Sequence, residues 1–122
     1  TVICVLGDGA YIFANPSACH HAAALHGLPV LTVVFNNEGW EGVQKGATGM
    51  YPQGHAAKQA KARGAEPLSS LKPVPDFELY AEASGGYGER VTQREELIPA
   101  LKRALHAVQV EGRQALPNVI GE

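Results

Sequence analysis

The chain has 122 residues, of which 45% are hydrophobic and 18% are charged, a composition that fits one folded domain and excludes a disordered segment. Ten basic and twelve acidic side chains leave a net charge of −2, so there is no electrostatic reason to expect nucleic acid or a membrane surface as a partner. Because no apolar run approaches the roughly 18 residues that a membrane span needs, we expect a soluble, cytoplasmic α/β domain. Two cysteines, Cys4 in an apolar run and Cys19 among alanines, predict buried thiols and no disulfide framework.

Residues 2–6 form a continuous apolar run that ends at Gly7-Asp8-Gly9. A run that is apolar on both faces predicts a central strand of a parallel sheet. The chain starts inside this strand without an initiator Met, so we expect it to be part of a longer protein. A helix is predicted next, beginning at Pro16 with Asn15 as its N-cap and ending near Gly27.

A second apolar strand over residues 31–35 ends at Asn36-Asn37-Glu38-Gly39. Strand, helix and strand in this order are typical of one right-handed crossover unit of a parallel sheet. A short helix is predicted over residues 40–47. Residues 51–75 combine glycine, proline and serine with basic side chains, which indicates a long loop or a mobile lid.

The last part of the chain predicts two further strands, each preceded by a helix. An amphipathic helix over residues 76–83 precedes a strand over 87–91, and a helix over 94–110 precedes a strand over 115–120. The helix over 94–110 carries apolar side chains at helical spacing, Ile98 among them. Pro117 lacks an N–H group for a ladder, which favours an edge position for the last strand. The predicted fold is a three-layer α/β domain, a parallel sheet with helices on both faces.

Polar residues follow two neighbouring strands at the point where each strand ends. The carboxyl ends of parallel strands share one edge of a sheet, which is where ligands bind in such folds. The Asp8 carboxylate and a carboxamide of the Asn36-Asn37 pair are oxygen donors of the kind that Mg²⁺ prefers, and glycines allow close approach of a diphosphate. A dinucleotide fingerprint is excluded because Ile12 stands where its third glycine belongs, and no Gly-Lys-Ser/Thr phosphate loop is present.

Gly7-Asp8-Gly9, a spacer over residues 10–35 and then Asn36-Asn37 together resemble the thiamine-diphosphate motif. Over its whole length the chain is similar to the C-terminal, diphosphate-binding module of the acetolactate synthase and 2-oxo-acid decarboxylase group. Pro75-Asp76-Phe77 and the glycine pair at residues 85–86 extend this resemblance to the end of the module.

The resemblance implies that Asp8 binds Mg²⁺ through its carboxylate, Asn37 through its side-chain oxygen and Gly39 through its main-chain carbonyl. The residues expected to bind or line the cofactor are Gly7, Asp8, Gly9, Ala10, Tyr11, Asn37, Gly39, Trp40 and Glu41. Many relatives carry Ser where this chain has Ala10, which leaves only the backbone there to meet the diphosphate. The Glu38-Gly39-Trp40 sequence also differs from several members.

The implied activity is decarboxylation and carboligation of 2-oxo acids, as in an acetolactate synthase large subunit. A non-ligating decarboxylase of the benzoylformate or indolepyruvate type is the alternative within the group, and a non-catalytic diphosphate-binding module is the alternative outside it. The resemblance further implies a pyrimidine-binding domain in the same or a neighbouring subunit, a homo-oligomer, and no turnover by this chain alone.

His20 and His21 lie beside Cys19, but consecutive helical residues point in different directions and cannot close one tetrahedral metal site. We expect one of these imidazoles to be buried.

Overall fold

The structure, a computed structural model, describes residues 1–63 and 69–121. The chain divides into two compact units. The first consists of Thr1–Asn37 and Pro75–Glu122, and the second of Glu38–Val74. Among the described residues, no helix combines the length and the apolar character that crossing a membrane requires.

The elements follow the order expected of an α/β domain. In the first unit they are β1 (Val2–Gly7), α1 (Asp8–Phe13), α2 (Pro16–Leu25), β2 (Val30–Asn36), α5 (Glu78–Glu82), β3 (Tyr87–Val91), α6 (Leu97–Gln109) and β4 (Ala115–Ile120), and in the second α3 (Glu41–Met50) and α4 (His55–Arg63). The four strands form one parallel sheet in the order β1-β2-β4-β3. The predicted α/β class with a parallel sheet is confirmed.

Successive strand residues point to opposite sides of the sheet, and apolar side chains lie on both sides. Helices therefore cover both faces. On one face, called the α6 face below, Leu31 and Val33 pack with Ala104, Ala107 and Val108 of α6 in the hydrophobic core. On the opposite face, Val34 and Leu116 are fully buried, and α1, α2 and α5 supply the covering residues. The three-layer arrangement is therefore the observed one.

Two strand positions differ from the sequence prediction. β1 was predicted as a central strand, but it lies at the edge of the described sheet, and Val2, Ile3 and Val5 are 64%, 54% and 59% exposed. An apolar run shows only that a strand suits burial, and not which strands flank it, so the central position of β1 in the longer protein stays a prediction.

β4 was predicted at an edge because of Pro117, and it lies between β2 and β3. In β4, Ala115 pairs with Leu31 of β2, and the pairing resumes at Asn118. The ladder between the two strands is therefore interrupted beside the proline. An interior strand can accommodate one missing N–H group at such an interruption.

Several local predictions are confirmed and others need correction. Pro16 begins α2 after Asn15, and Gly27 takes a left-handed φ of 60° directly beyond the helix. Both cysteines are exposed, although buried thiols were predicted. Ile98 was predicted on the buried side of α6 and is 59% exposed.

The second unit holds helices on either side of Tyr51-Pro52-Gln53-Gly54. Residues 51–75 were predicted as a loop or lid without regular structure, and residues 55–63 of that segment form α4. Near the ends of the unit, Gly39 and Ser70 form an antiparallel bridge. Residues 64–68 of the predicted lid lie outside the described part of the chain.

Candidate functional site

The parallel pairing of β1 and β2 places the two polar sequence motifs at the same edge of the sheet. Gly7, the last residue of β1, pairs with Phe35 near the end of β2. Asp8 follows Gly7 directly, and Asn37 lies two residues beyond Phe35. The expected convergence at the carboxyl edge, where ligands bind in open α/β sheets, is observed.

Asp8 is a buried acid in the first turn of α1, with 1% of its surface exposed. The N–H group of Gly9 donates a hydrogen bond of 2.8 Å to its Oδ1. The helix α1, which was not predicted from the sequence, starts directly after an extended Gly7. Carboxylate oxygens are ligands that Mg²⁺ prefers, so the donor chemistry of Asp8 suits a metal ion.

The two consecutive asparagines differ in their surroundings. Asn36 belongs to β2 and is 1% exposed, and its Nδ2 donates to Oδ1 of Asn118 at 3.2 Å. Its main-chain carbonyl accepts a hydrogen bond of 2.8 Å from the N–H group of Gly121. Asn37 lies beyond the strand and is exposed. The two residues therefore differ, because Asn36 is buried and hydrogen-bonded to β4 and to Gly121, whereas Asn37 lies at the surface.

Gly39, Trp40 and Glu41 belong to the second unit. Their backbone is held by the Trp40 N–H group, which donates to the Ser69 carbonyl at 2.8 Å. A Cβ atom on Gly39 would lie 3.1 Å from that same carbonyl oxygen, so the close pairing favours glycine. Glu41 begins α3 and forms an exposed ion pair with Lys45.

Tyr11 lies in the interior, with 4% of its surface exposed. Its ring packs edge-on against Phe77 with 5.0 Å between ring centroids. Its hydroxyl lies 2.9 Å from Nε2 of His20, and Nδ1 of His20 lies 2.6 Å from Oε1 of Gln114. Because the Gln114 oxygen can only accept, Nδ1 carries the proton and the Tyr11 hydroxyl donates to Nε2. Burial raises the pKa of Tyr11 well above its usual range.

The expectation of one buried imidazole is thus confirmed at His20, which is 5% exposed. Its hydrogen bonds join α1 to α2 and to the residue before β4, since Nε2 of Gln114 also donates to the His20 carbonyl at 2.9 Å. The structure therefore places Tyr11 where it holds α1, three residues after Asp8. Sequence reasoning missed Gln114, because its partner is 94 positions away.

A second series of buried hydrogen bonds, on the same face of the sheet as Tyr11 and away from α6, contains Asn36, Asn118 and Glu78. Glu78 and Asn118 are 9% and 0% exposed. Neither was among the residues predicted from the sequence. An asparagine inside an apolar strand was the available signal, because a buried amide requires a polar partner.

The donor types at the candidate site suit a hard cation better than a transition metal. Within the described residues, no group of three or more His, Cys, Asp or Glu side chains could hold a metal ion. One buried carboxylate and one exposed carboxamide make an incomplete oxygen shell. Mg²⁺ accepts few protein ligands when phosphate oxygens and water complete its octahedron, so these residues fit a magnesium ion that arrives with a diphosphate.

A family described as thiamine pyrophosphate enzyme, C-terminal TPP binding domain, matches residues 1–114. The chain belongs to this family. The match includes both polar strand ends, so it supports thiamine diphosphate as the cofactor class of the domain.

A solved structure with a similar fold is the benzoylformate decarboxylase from Polynucleobacter necessarius, with a TM-score of 0.72 and 21% sequence identity. The similarity covers 98% of this chain and 19% of that chain. At this identity it confirms the fold. No curated protein matches the chain with significance.

Proposed function

We propose that this chain binds the Mg²⁺-diphosphate end of thiamine diphosphate in an enzyme that acts on 2-oxo acids. The observation that carries the proposal is the buried Asp8 at the carboxyl edge of the β1–β2 pair, beside the strand end that leads into Asn37. The family match supports the cofactor. The Asp8 carboxylate is an oxygen donor of the kind that Mg²⁺ prefers, and diphosphate oxygens and water suit the remaining positions of the metal ion.

In this proposal three residues bind the metal ion, Asp8 by its carboxylate, Asn37 by its side-chain oxygen and Gly39 by its main-chain carbonyl. Gly9 and Ala10 meet the diphosphate through their backbone N–H groups at the first turn of α1, and the Gly9 N–H group also donates to Oδ1 of Asp8. Ala10 is exposed and contributes no hydroxyl. The extended Gly7 lets the backbone approach the cofactor. In the proposal, Trp40 and Glu41 come near the diphosphate. Tyr11 holds α1 in place.

Thiamine diphosphate, when bound, supplies the electron sink that loss of CO₂ from a 2-oxo acid requires. The residues of this chain bind and orient the diphosphate. In our proposal the lid expected within residues 51–75, of which 64–68 lie outside the described residues, serves to exclude water. A pyrimidine-binding domain, in the same or a neighbouring subunit of a cytoplasmic homo-oligomer, supplies the remaining contacts, so this chain by itself does not turn over.

The proposed overall reaction is decarboxylation followed by carboligation, as in acetolactate synthases. A decarboxylase that releases the aldehyde is the second candidate, favoured by the fold shared with a benzoylformate decarboxylase. Product analysis after incubation with pyruvate or benzoylformate separates the two. A 2-hydroxy-ketone product indicates ligation, a free aldehyde with CO₂ indicates decarboxylation alone, and no consumption of any 2-oxo acid favours a non-catalytic binding module.

Calorimetric titration of thiamine diphosphate and Mg²⁺ into the natural protein tests the proposed site. We expect heat that disappears with EDTA, and an affinity that falls by about 100-fold or more in Asp8→Asn, since a metal ligand loses its charge. Glu95→Gln, which changes an exposed acid of the same unit, is the matched control and should bind normally. Unchanged binding in Asp8→Asn, or no Mg²⁺-dependent heat in the natural protein, would contradict the proposal.

A further inference from the structure

A series of hydrogen bonds with a fixed direction runs along the face of the sheet away from α6 and ends beside Asn37. Nδ2 of Asn118 donates to Oε2 of Glu78 at 2.6 Å. Oδ1 of Asn118 in turn accepts from Nδ2 of Asn36 at 3.2 Å. The three side chains come from α5, β4 and β2, so these hydrogen bonds connect elements that are far apart in sequence.

The direction of this series is set by the acid at its start. A carboxylate can only accept hydrogen bonds, so Asn118 must turn its amide nitrogen toward Glu78 and its oxygen toward Asn36. Asn36 must then turn its nitrogen toward Asn118. One charge therefore fixes the orientation of two amides, the second of which precedes Asn37.

Asn36 is also fixed through its main chain. It pairs with Ile120 in the sheet register, and its carbonyl accepts from the Gly121 N–H group. Side-chain and main-chain contacts thus hold the same residue from β4. The backbone that leads into Asn37 leaves the sheet from a point with little freedom.

Stability alone would favour apolar side chains at the buried positions of Glu78, Asn118 and Asn36. Val34 and Leu116 occupy the same face and are fully buried, so the face accepts apolar side chains beside the polar ones. Replacing buried polar partners by apolar residues of similar volume is often neutral or stabilising. Arg90 compensates the buried acid, because its Nη1 lies 3.7 Å from Oε1 of Glu78 and 2.5 Å from Oδ1 of Asp76.

We infer that Glu78 is a positioning residue for the metal site. Through Asn118 and Asn36 it holds the strand end in the orientation from which Asn37 meets the cation, and so it tunes the affinity for Mg²⁺ with diphosphate. The inference rests on the proposed function. Residues that orient metal ligands from outside the coordination shell commonly change metal affinity by 10- to 100-fold when removed.

The test is the Mg²⁺ concentration that half-saturates thiamine diphosphate binding to the natural protein, measured well below its melting temperature. Glu78→Ala should raise this concentration about tenfold, while kcat at saturating Mg²⁺ stays close to that of the parent. Glu78→Gln keeps an oxygen that accepts from Asn118 and should stay within about threefold of the parent. Glu82→Ala, an exposed acid one turn later on α5, is the matched control and should not change.

A double variant, Glu78→Leu with Asn118→Leu, separates positioning from stability. Replacing both partners by apolar side chains should restore folding, but it removes the hydrogen bond from Asn36 to Asn118, so the Mg²⁺ requirement should stay raised. If the folded double variant binds Mg²⁺ like the parent, these hydrogen bonds do not position the site and the inference is overturned. The same conclusion follows if Glu78→Ala is folded and its Mg²⁺ requirement is unchanged.

Failure of the proposed function has a different signature. If the parent protein binds thiamine diphosphate without Mg²⁺, or does not bind it at all, the metal site and the inference built on it both fail. If the parent requires Mg²⁺ and Asp8→Asn abolishes binding while the Glu78 variants bind normally, only the positioning role is overturned.

Discussion

The two faces of the sheet are stabilised in different ways. On the α6 face, the core consists of aliphatic side chains from α6, β2 and β4, and charged groups lie toward the rim, as Arg103 does where it binds Glu89. On the opposite face, apolar side chains such as Phe77 share the interior with a buried acid, amides and an imidazole. Polar groups buried in this way require specific partners.

This difference separates a stabilising face from a site-forming face. Apolar contacts are nondirectional and tolerate many arrangements of similar volume. Hydrogen bonds with defined donors and acceptors fix a single geometry. The two series of hydrogen bonds that include Tyr11 and Asn36 each contain a residue next to one proposed to bind the cofactor, so the directional contacts lie where geometry matters most.

The largest effect is expected on the α6 face. Leu31→Ala removes a side chain that is 2% exposed and leaves a cavity in the core, which should cost about 3 kcal/mol of unfolding free energy. Chemical denaturation measures this cost. Ile98→Ala, at an exposed position of α6, is the control and should cost less than about 1 kcal/mol. Equal costs at the two positions would show that the apolar core lies elsewhere.

A smaller effect is expected where α5 packs on β3. A Cβ atom on Gly88 would lie 2.4 Å from the carbonyl oxygen of Glu78, so Gly88→Ala must displace the helix and should cost about 2 kcal/mol. The control is Gly42→Ala on α3, where an added Cβ meets nothing within 4 Å and helix propensity favours alanine by about 0.5–1 kcal/mol. A neutral Gly88→Ala would contradict the tight packing of α5.

Tyr11→Phe tests the imidazole chain without changing the ring. The variant leaves Nε2 of His20 without its donor, which should cost about 1–2 kcal/mol at neutral pH. Because burial raises the pKa of Tyr11, the parent loses stability as the pH rises above about 10, where the unfolded tyrosine ionises. The difference between parent and variant should therefore shrink at high pH.

Urea denaturation between pH 7 and 11 follows this change. Tyr51→Phe, at a residue that is 67% exposed, should leave both the stability and its pH dependence unaltered. A Tyr11→Phe variant with the parent's stability at every pH would show that the hydroxyl makes no net contribution.

The smallest effect is expected at the rim of the α6 face. Hydrogen bonds from Arg103 hold the pKa of Glu89 below its usual range, with Tyr87 as a further donor. This contribution is present above the unfolded pKa of about 4.3 and is lost as the pH falls through the lower folded pKa. Glu89→Gln should therefore lower the melting temperature by no more than about 3 °C at pH 7, and not at pH 3. A loss that persists at pH 3 would assign the effect to packing.

Much of the fold was predictable because it depends on short-range patterns. The apolar runs that became β1 and β2, and the proline and glycine at the ends of α2, act through backbone preferences that a local segment carries with it. Gly7-Asp8-Gly9 together with Asn36-Asn37 indicated the thiamine-diphosphate enzyme family, which the match over residues 1–114 confirms, while the acetolactate synthase subgroup stays a prediction. The roles of the individual site residues stay predictions.

Other features could not be predicted because they depend on distant partners. A proline favours a sheet edge in general, yet Pro117 lies in an interior strand whose neighbours come from elsewhere in the chain. Cys4 and Cys19 sit in apolar surroundings in sequence, but their exposure depends on which elements cover them.

By itself, the sequence determined the order of the four strands, the helices α2, α3, α5 and α6, the parallel connection between the first two strands and the two polar motifs at their ends, since each follows from residues close together in the chain. It did not indicate α1 or α4. Only the tertiary structure decided which strands lie inside the sheet and which buried polar groups meet. Gln114 reaches His20 across 94 positions, and Asn36 reaches Asn118 across 82. Such contacts require that the whole sheet assemble, because the closure of long loops has to be offset by the packing of the entire domain.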